Sequence, residues 1–142
     1  MATILSAADV AVGTVLPPQT FRLTRLDGVR YAGASGDLNV IHWNERVATA
    51  VGLPGVVAHG MLTMGRALRV VTDWIGDPAA VEEYAVRFTR PIVIPDDADG
   101  ADLEVTGVVA EILDDQRVRI DLTVRSGGQT VLARPRAIVR LG

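Results

Sequence analysis

From Gly60 to Ile75 the apolar residues Met61, Leu62, Met64, Leu68, Val70, Val71, Trp74 and Ile75 cover most of a helical surface and leave Arg66, Arg69 and Asp73 as a narrow polar stripe. A helix with that pattern is expected to be nearly enclosed. Beyond Gly76 the period changes to two. Tyr84, Val86 and Phe88 alternate with Ala85, Arg87 and Thr89, and Val118, Ile120, Leu122 and Val124 alternate with Arg117, Arg119, Asp121 and Thr123, as in strands with one buried face. Leu103 to Ile112 and Gln129 to Leu141 read as two more strands, joined through Asp114-Asp115-Gln116 and Ser126-Gly127-Gly128, so the second half is expected to be an antiparallel meander. Pro135 argues for an edge position or a bulge. One buried helix against a curved antiparallel sheet is an α+β layout.

The first half is more broken. After an irregular start through Pro17-Pro18, Gln19 to Leu23 reads as a short strand, and Thr24 with Asp27 resembles a capping box in front of a helix reaching about Ala34. Ser35-Gly36 ends it. Asp37 to Trp43 is then loop, and Asn44 is placed to cap a short helix, Glu45 to Val51, that Gly52 and Pro54 terminate. There is no internal repeat, low-complexity segment or long linker to support a boundary, so residues 1–142 are read as one domain.

Composition narrows the chemistry. A hydrophobic content of 49% suits a sizeable core, and no apolar run approaches the roughly 20 residues of a membrane helix. Met1 to Val10 lacks the basic start and apolar stretch of a secretory leader, so a cytoplasmic protein is expected. There is no cysteine, which excludes disulfides, thiolate ligands and a Cys nucleophile. All 14 basic residues are Arg, which excludes a Schiff-base lysine. A net charge of -3 disfavours a nucleic-acid partner.

Both of the chain's 2 histidines lie in two short stretches, Asp37-Leu38-Asn39-Val40-Ile41-His42 and Ala58-His59-Gly60-Met61. A carboxylate, an amide and an imidazole within one turn suit a general acid/base pair, and a His-Gly step opening an apolar helix suits anion-binding backbone amides. Taken one at a time, such residues are more often a helix cap and a buried structural histidine. Two imidazoles and a carboxylate also suit a metal, but the spacings match no metal motif, so no metal and no cofactor is expected. Arg66, Arg69, Arg87 and Arg90 suit either an anionic partner, such as coenzyme A phosphates or an acidic carrier protein, or a solvated face.

The run Tyr31-Ala32-Gly33-Ala34-Ser35-Gly36-Asp37-Leu38-Asn39-Val40-Ile41-His42-Trp43, then Ala58-His59-Gly60-Met61-Leu62-Thr63-Met64, then Glu83-Tyr84-Ala85-Val86-Arg87-Phe88, resembles the MaoC-type, R-specific enoyl-thioester hydratase family. Within it the chain is most similar to the HadB-like catalytic subunits of actinobacterial (3R)-hydroxyacyl thioester dehydratases. The resemblance implies a hot-dog fold, with the antiparallel sheet wrapped around a long central helix. It implies a hydro-lyase that interconverts (3R)-3-hydroxyacyl and trans-2-enoyl thioesters of coenzyme A or acyl carrier protein. Asp37 and His42 would be the acid/base pair, Gly60 the backbone oxyanion donor, Asn39 the residue that orients the loop, and His59 support for the turn. The chain would act as a homodimer or as a heterodimer with a related hot-dog subunit.

Two positions depart from the family pattern. Val40 stands where many members have Pro, so the turn is expected to be less rigid but tolerated. Leu68 stands eight residues beyond Gly60, where some hydratases have a serine, so a polar contact is missing. A hot-dog thioesterase and a non-catalytic acyl-binding subunit are the alternative readings.

Overall fold

The computed structural model describes residues 5–114 and 116–142. Met1 to Ile4, part of the leader reading, and Asp115, the middle of the Asp114-Asp115-Gln116 turn, lie outside the described residues. Among the described residues the strands are β1 (Val15–Leu23), β2 (Val81–Phe88), β3 (Ala101–Ile112), β4 (Arg117–Ser126), β5 (Gln129–Thr130) and β6 (Leu132–Arg140), and the α-helices are α1 (Arg25–Ser35), α2 (Glu45–Ala50) and α3 (Gly60–Ile75). The sheet is antiparallel, in the order β1-β3-β4-β6-β2, with β5 paired to β4.

The α+β hot-dog expectation is borne out. One hydrophobic cluster joins Ala67, Val70, Val71 and Ile75 of α3 to Leu103, Val105 and Val109 of β3, Val118, Ile120 and Val124 of β4, and Ala137 and Val139 of β6. Each fully buried Val, Leu or Ile side chain contributes roughly 1.5–3 kcal/mol. Packing onto the sheet therefore holds α3 more firmly than helix propensity does.

Four expectations need correcting. The helix α3 is embraced on one side only: Met61, Gly65, Arg69 and Asp73 are exposed, because the sheet curls along a single face. The strand β1 starts at Val15, ahead of the prolines, with its register shifting between Leu16 and Gln19. An edge strand tolerates Pro17-Pro18 there because the missing N–H groups fall in a bulge. The meander covers only β3, β4 and β6, since β2 joins the far side of β6. Residues 89–100 leave the sheet after β2, bridge Val93 to Val57 and bury Ile92 and Ile94, so β2 and β3 are not neighbours. The predicted strand Gln129 to Leu141 is broken at Val131 into β5 and β6. Pro135 lies where the β2–β6 register shifts, beside Arg134 with φ 50, which is the expected bulge.

The capping box is present: Thr24 Oγ1 accepts from the Asp27 N–H, and the Asp27 side chain accepts from the Thr24 N–H. Asn44 caps α2 by accepting from the Val47 N–H at 3.1 Å. No helix among the described residues is long and apolar enough to cross a membrane.

Candidate active site

Gly36 ends α1 in the left-handed region, φ 77, and the turn it makes directs Asp37 away from the helix axis. A ladder of short-range bonds then winds the next residues tightly. The Ser35 hydroxyl accepts from the Asp37 N–H at 3.1 Å, Asp37 Oδ1 from the Asn39 N–H at 3.2 Å, and Asn39 Oδ1 from the Ile41 N–H at 3.3 Å. Such i to i+2 bonds are what Ser, Asp and Asn supply in turns. They lead into a single 3-10 turn, Val40–His42, inside the segment read as loop. The Asn39 side chain thus bonds to the backbone of the loop.

His42 is clamped from the far side. Its Nδ1 lies 2.8 Å from the Val57 carbonyl, while the Val57 N–H donates to the Ile41 carbonyl at 3.2 Å. A carbonyl only accepts, so Nδ1 carries the proton of the neutral ring and Nε2 presents its lone pair. That lone pair faces Asp37: Nε2 to Oδ2 is 3.9 Å, with the His42 side chain 11% and the Asp37 side chain 50% exposed. The separation is too long for a direct hydrogen bond, yet one oxygen atom fits between them at about 2.8 Å from each.

His59, only 1% exposed, caps α3 with its backbone but makes no side-chain cap bond. Its ring is engaged elsewhere. Nε2 lies 3.1 Å from the Asp37 carbonyl and therefore donates to it. The ring stacks on His42 at 3.9 Å between centroids and 23° between planes, and meets Tyr31 of α1 at 4.8 Å and 59°. Gly60 follows as the first residue of α3, where backbone N–H groups have no partner inside the helix. It opens onto a cleft of about 320 Å³ lined by Ala58, Thr63, Phe88, Arg90, Ile92 and Leu132. A Cβ at Gly60 would come within 3.1 Å of Phe88 Cε1. Asp37, His42 and His59 each place a ligand atom within 4.8 Å of the others. Their geometry suits a metal poorly, because near-parallel rings keep the two imidazole lone pairs in separate planes.

The profile of the MaoC like domain matches residues 9–126, which takes in Asp37, His42, His59 and Gly60. The chain belongs to the MaoC-like family. A solved MaoC-like dehydratase superposes with a TM-score of 0.92 at 42% identity, over 96% of this chain and 42% of that one. An unliganded R-hydratase from Pseudomonas aeruginosa superposes with a TM-score of 0.82 at 27% identity, over 96% of this chain and 84% of that one. The 3-hydroxyacyl-thioester dehydratase X of Mycobacterium tuberculosis is 37% identical over 79 residues, 56% of this chain and 27% of the relative. The chain thus spans less than half the length of that curated relative and of the MaoC-like dehydratase.

Seen as a MaoC-like chain, the departures have local explanations. Val40 needs no proline ring, because its carbonyl accepts from the Trp43 N–H at 3.2 Å and the Asn44 N–H at 2.9 Å. Leu68 packs half-buried against the core and offers no polar contact, as expected. Arg66 is paired with Asp27 at 3.5 Å, and Arg69 with Asp73 at 3.4 Å, so these two are engaged within the chain. Arg90 lines the Gly60 cleft, whereas Arg87 lines a separate recess with Arg134 and Arg136. Three participants were not legible as such in the sequence. Val57 acts through its carbonyl, which every residue has; Tyr31 acts through a ring on another element; and Phe88, taken as a buried strand residue, is 51% exposed over Gly60 at the end of β2.

Proposed function

We propose that this chain is a hydro-lyase that interconverts (3R)-3-hydroxyacyl and trans-2-enoyl thioesters, carried on coenzyme A or on acyl carrier protein, in fatty-acid metabolism. The observation that carries the reading is His42 Nε2 facing Asp37 Oδ2 at 3.9 Å, next to a helix start whose glycine opens onto a cleft. The names of the relatives, a 3-hydroxyacyl-thioester dehydratase and an R-hydratase, point the same way.

In hydration, a water between Asp37 and His42 bonds through its oxygen to C3 of the enoyl thioester. The C2–C3 π electrons move towards the carbonyl, and charge grows on the thioester oxygen. The Gly60 N–H, backed by the positive end of the α3 dipole, stabilises that oxygen as the enolate forms. The acid/base pair takes one proton from the water and delivers one to C2, so it returns to its starting state, and dehydration runs the steps in reverse. Asp37 and His42 are treated as one coupled unit. Asn39 keeps Asp37 and His42 at working distance.

Leu38, Val40 and Trp43 on the acid/base turn, Met61 beside Gly60, and Phe88 above it are all large, apolar and exposed. Apolar side chains concentrated around one site favour a covering partner, so the working unit is a dimer, with a second copy or with a related hot-dog subunit.

The test is an absorbance assay of crotonyl-CoA hydration, extended to longer enoyl chains and to carrier-protein thioesters. Asp37→Asn and His42→Ala should each lower kcat by about 10²–10⁴-fold, the usual contribution of a general acid or base. Undiminished rates in either variant would refute the mechanism, and release of free thiol from saturated acyl-CoA would point to a thioesterase.

A further inference from the structure

His59 combines features that stability alone does not explain. It is buried, and with Nε2–H donating to the Asp37 carbonyl, Nδ1 is left as a bare acceptor in the interior with no hydrogen-bond partner among the described residues. An unsatisfied buried acceptor is destabilising. A phenyl or isobutyl group would fill the same volume without that cost. What neither would do is donate a hydrogen bond to Asp37.

The ring also links three elements that the proposed reaction needs in register. It lies between Tyr31 on α1, which meets it tilted, and His42 on the 3-10 turn, which stacks on it. Its backbone is the N-cap of α3, one peptide away from the Gly60 N–H, and its carbonyl receives the Thr63 N–H at 3.1 Å. A shift of the ring therefore moves the Asp37 backbone, the plane of His42 and the start of α3 together. The two histidines have complementary bonds: His42 donates Nδ1–H to Val57 and turns Nε2 towards Asp37, and His59 donates Nε2–H to the backbone of Asp37 and leaves Nδ1 buried.

We infer that His59 is a positioning residue, working as the Nε2–H tautomer, that locks the Asp37–His42 pair to the oxyanion end of α3 through its ring face and its hydrogen bond to the Asp37 carbonyl. It does not touch the reacting atoms. The inference rests on the hydro-lyase reading for its catalytic meaning, while its geometry can be tested without any activity.

The geometric arm is a two-bond ¹H–¹⁵N correlation spectrum of the imidazoles in the wild-type protein and in His42→Gln, which assigns the signals. The expected signature is opposite tautomers, protonated Nε2 in His59 and protonated Nδ1 in the neutral ring of His42. Protonated Nδ1 in His59 overturns the inference at once. The kinetic arm compares three substitutions under the crotonyl-CoA assay, with circular dichroism to check folding. His59→Gln keeps a donor able to reach the Asp37 carbonyl, His59→Phe keeps the stack and the volume without the donor, and His59→Ala removes both. Misplacing catalytic groups by about 1 Å costs on the order of 100-fold, so His59→Ala is expected to lose about that much in kcat with KM within about 3-fold. His59→Gln should recover at least 10-fold of that loss and exceed His59→Phe. If Gln is no better than Phe, or the loss falls on KM, the tether is not what His59 provides. If the wild-type protein hydrates no enoyl thioester, the catalytic part falls together with the hydro-lyase reading, and the spectrum separates that failure from an error in the geometry.

Discussion

In the proposed reaction Gly60, which has no side chain, contributes through its backbone. A methyl group there would lie 3.1 Å from Phe88 Cε1 and 3.3 Å from Cδ1, closer than ordinary contact, and would occupy the mouth of the cleft. The ring that would have to yield is half exposed and can move, and no positive φ is recorded at position 60, so the fold should accept an alanine. We therefore predict that Gly60→Ala keeps its thermal midpoint within a few degrees but loses about 10²-fold in kcat/KM, because the methyl holds the thioester away from a backbone N–H that the variant retains, on the scale of a misplacement of about 1 Å. Parallel thermal melts and enoyl-CoA kinetics check this, and wild-type kinetics would show that the thioester does not pack against position 60. The candidates Asp37, His42 and Gly60 were all legible in the sequence, because carboxylate, imidazole and glycine have distinctive chemistry at short spacing. The Val57 carbonyl that fixes the His42 tautomer was not, since nothing in a residue's identity tells where its backbone oxygen will point.

At the scale of elements, α1 depends on its first turn. The Asp27 carboxylate accepts from both the Thr24 N–H and the Thr24 hydroxyl at 2.8 Å, and Arg66 reaches it from α3 at 3.5 Å. Burial alone would raise its pKa, but the two bonds from Thr24, with the Arg66 and Arg30 charges, outweigh burial and hold the carboxyl below its ordinary value of 3.8. A carboxyl whose folded value is depressed stabilises the fold above its unfolded value, and that stabilisation is lost as the pH falls through the folded value. Asp27→Ala should cost about 1–2 kcal/mol at pH 7, the usual cost of losing a helix cap. In urea titrations the gap between variant and wild type should narrow as the pH drops below 3.8. A gap that widens in acid would contradict the assignment. Because α1 delivers Tyr31 to His59 and Gly36 to the turn before Asp37, some catalytic loss in this variant is expected as well.

At the scale of the whole molecule, the two ends of the sheet are different. The edge strand β1 carries Pro17-Pro18 and a bulge, which discourage further pairing, whereas β2, at the opposite end, has no proline. Leu38, Val40, Trp43, Met61 and Phe88 are exposed around the site, with Leu38 at 67% exposure. If these surfaces are covered in the working protein, sedimentation equilibrium at micromolar concentration should give about twice the 15.1 kDa chain mass, or the chain should reach that state only with a partner. Leu38→Glu should then shift the population towards the monomer and reduce activity. A monomer with full hydratase activity would show that the site is complete within one chain.

The sequence by itself determined the elements whose cause is local. The capping box at Thr24, the caps at Asn44 and Gly36, the bounds of α3 and the alternation of β4 all follow from residues a few positions apart. It also determined which side chains have usable chemistry. Only the tertiary structure decided how far the sheet encloses α3, because the same apolar stripe suits a half-wrapped and a fully wrapped helix. It alone decided that β2 crosses to β6, since pairing partners depend on where residues 89–100 travel. It decided the hydrogen-bond partners of the histidines for the same reason: each ring meets a carbonyl 15 or 22 residues away, and no spacing rule records that distance.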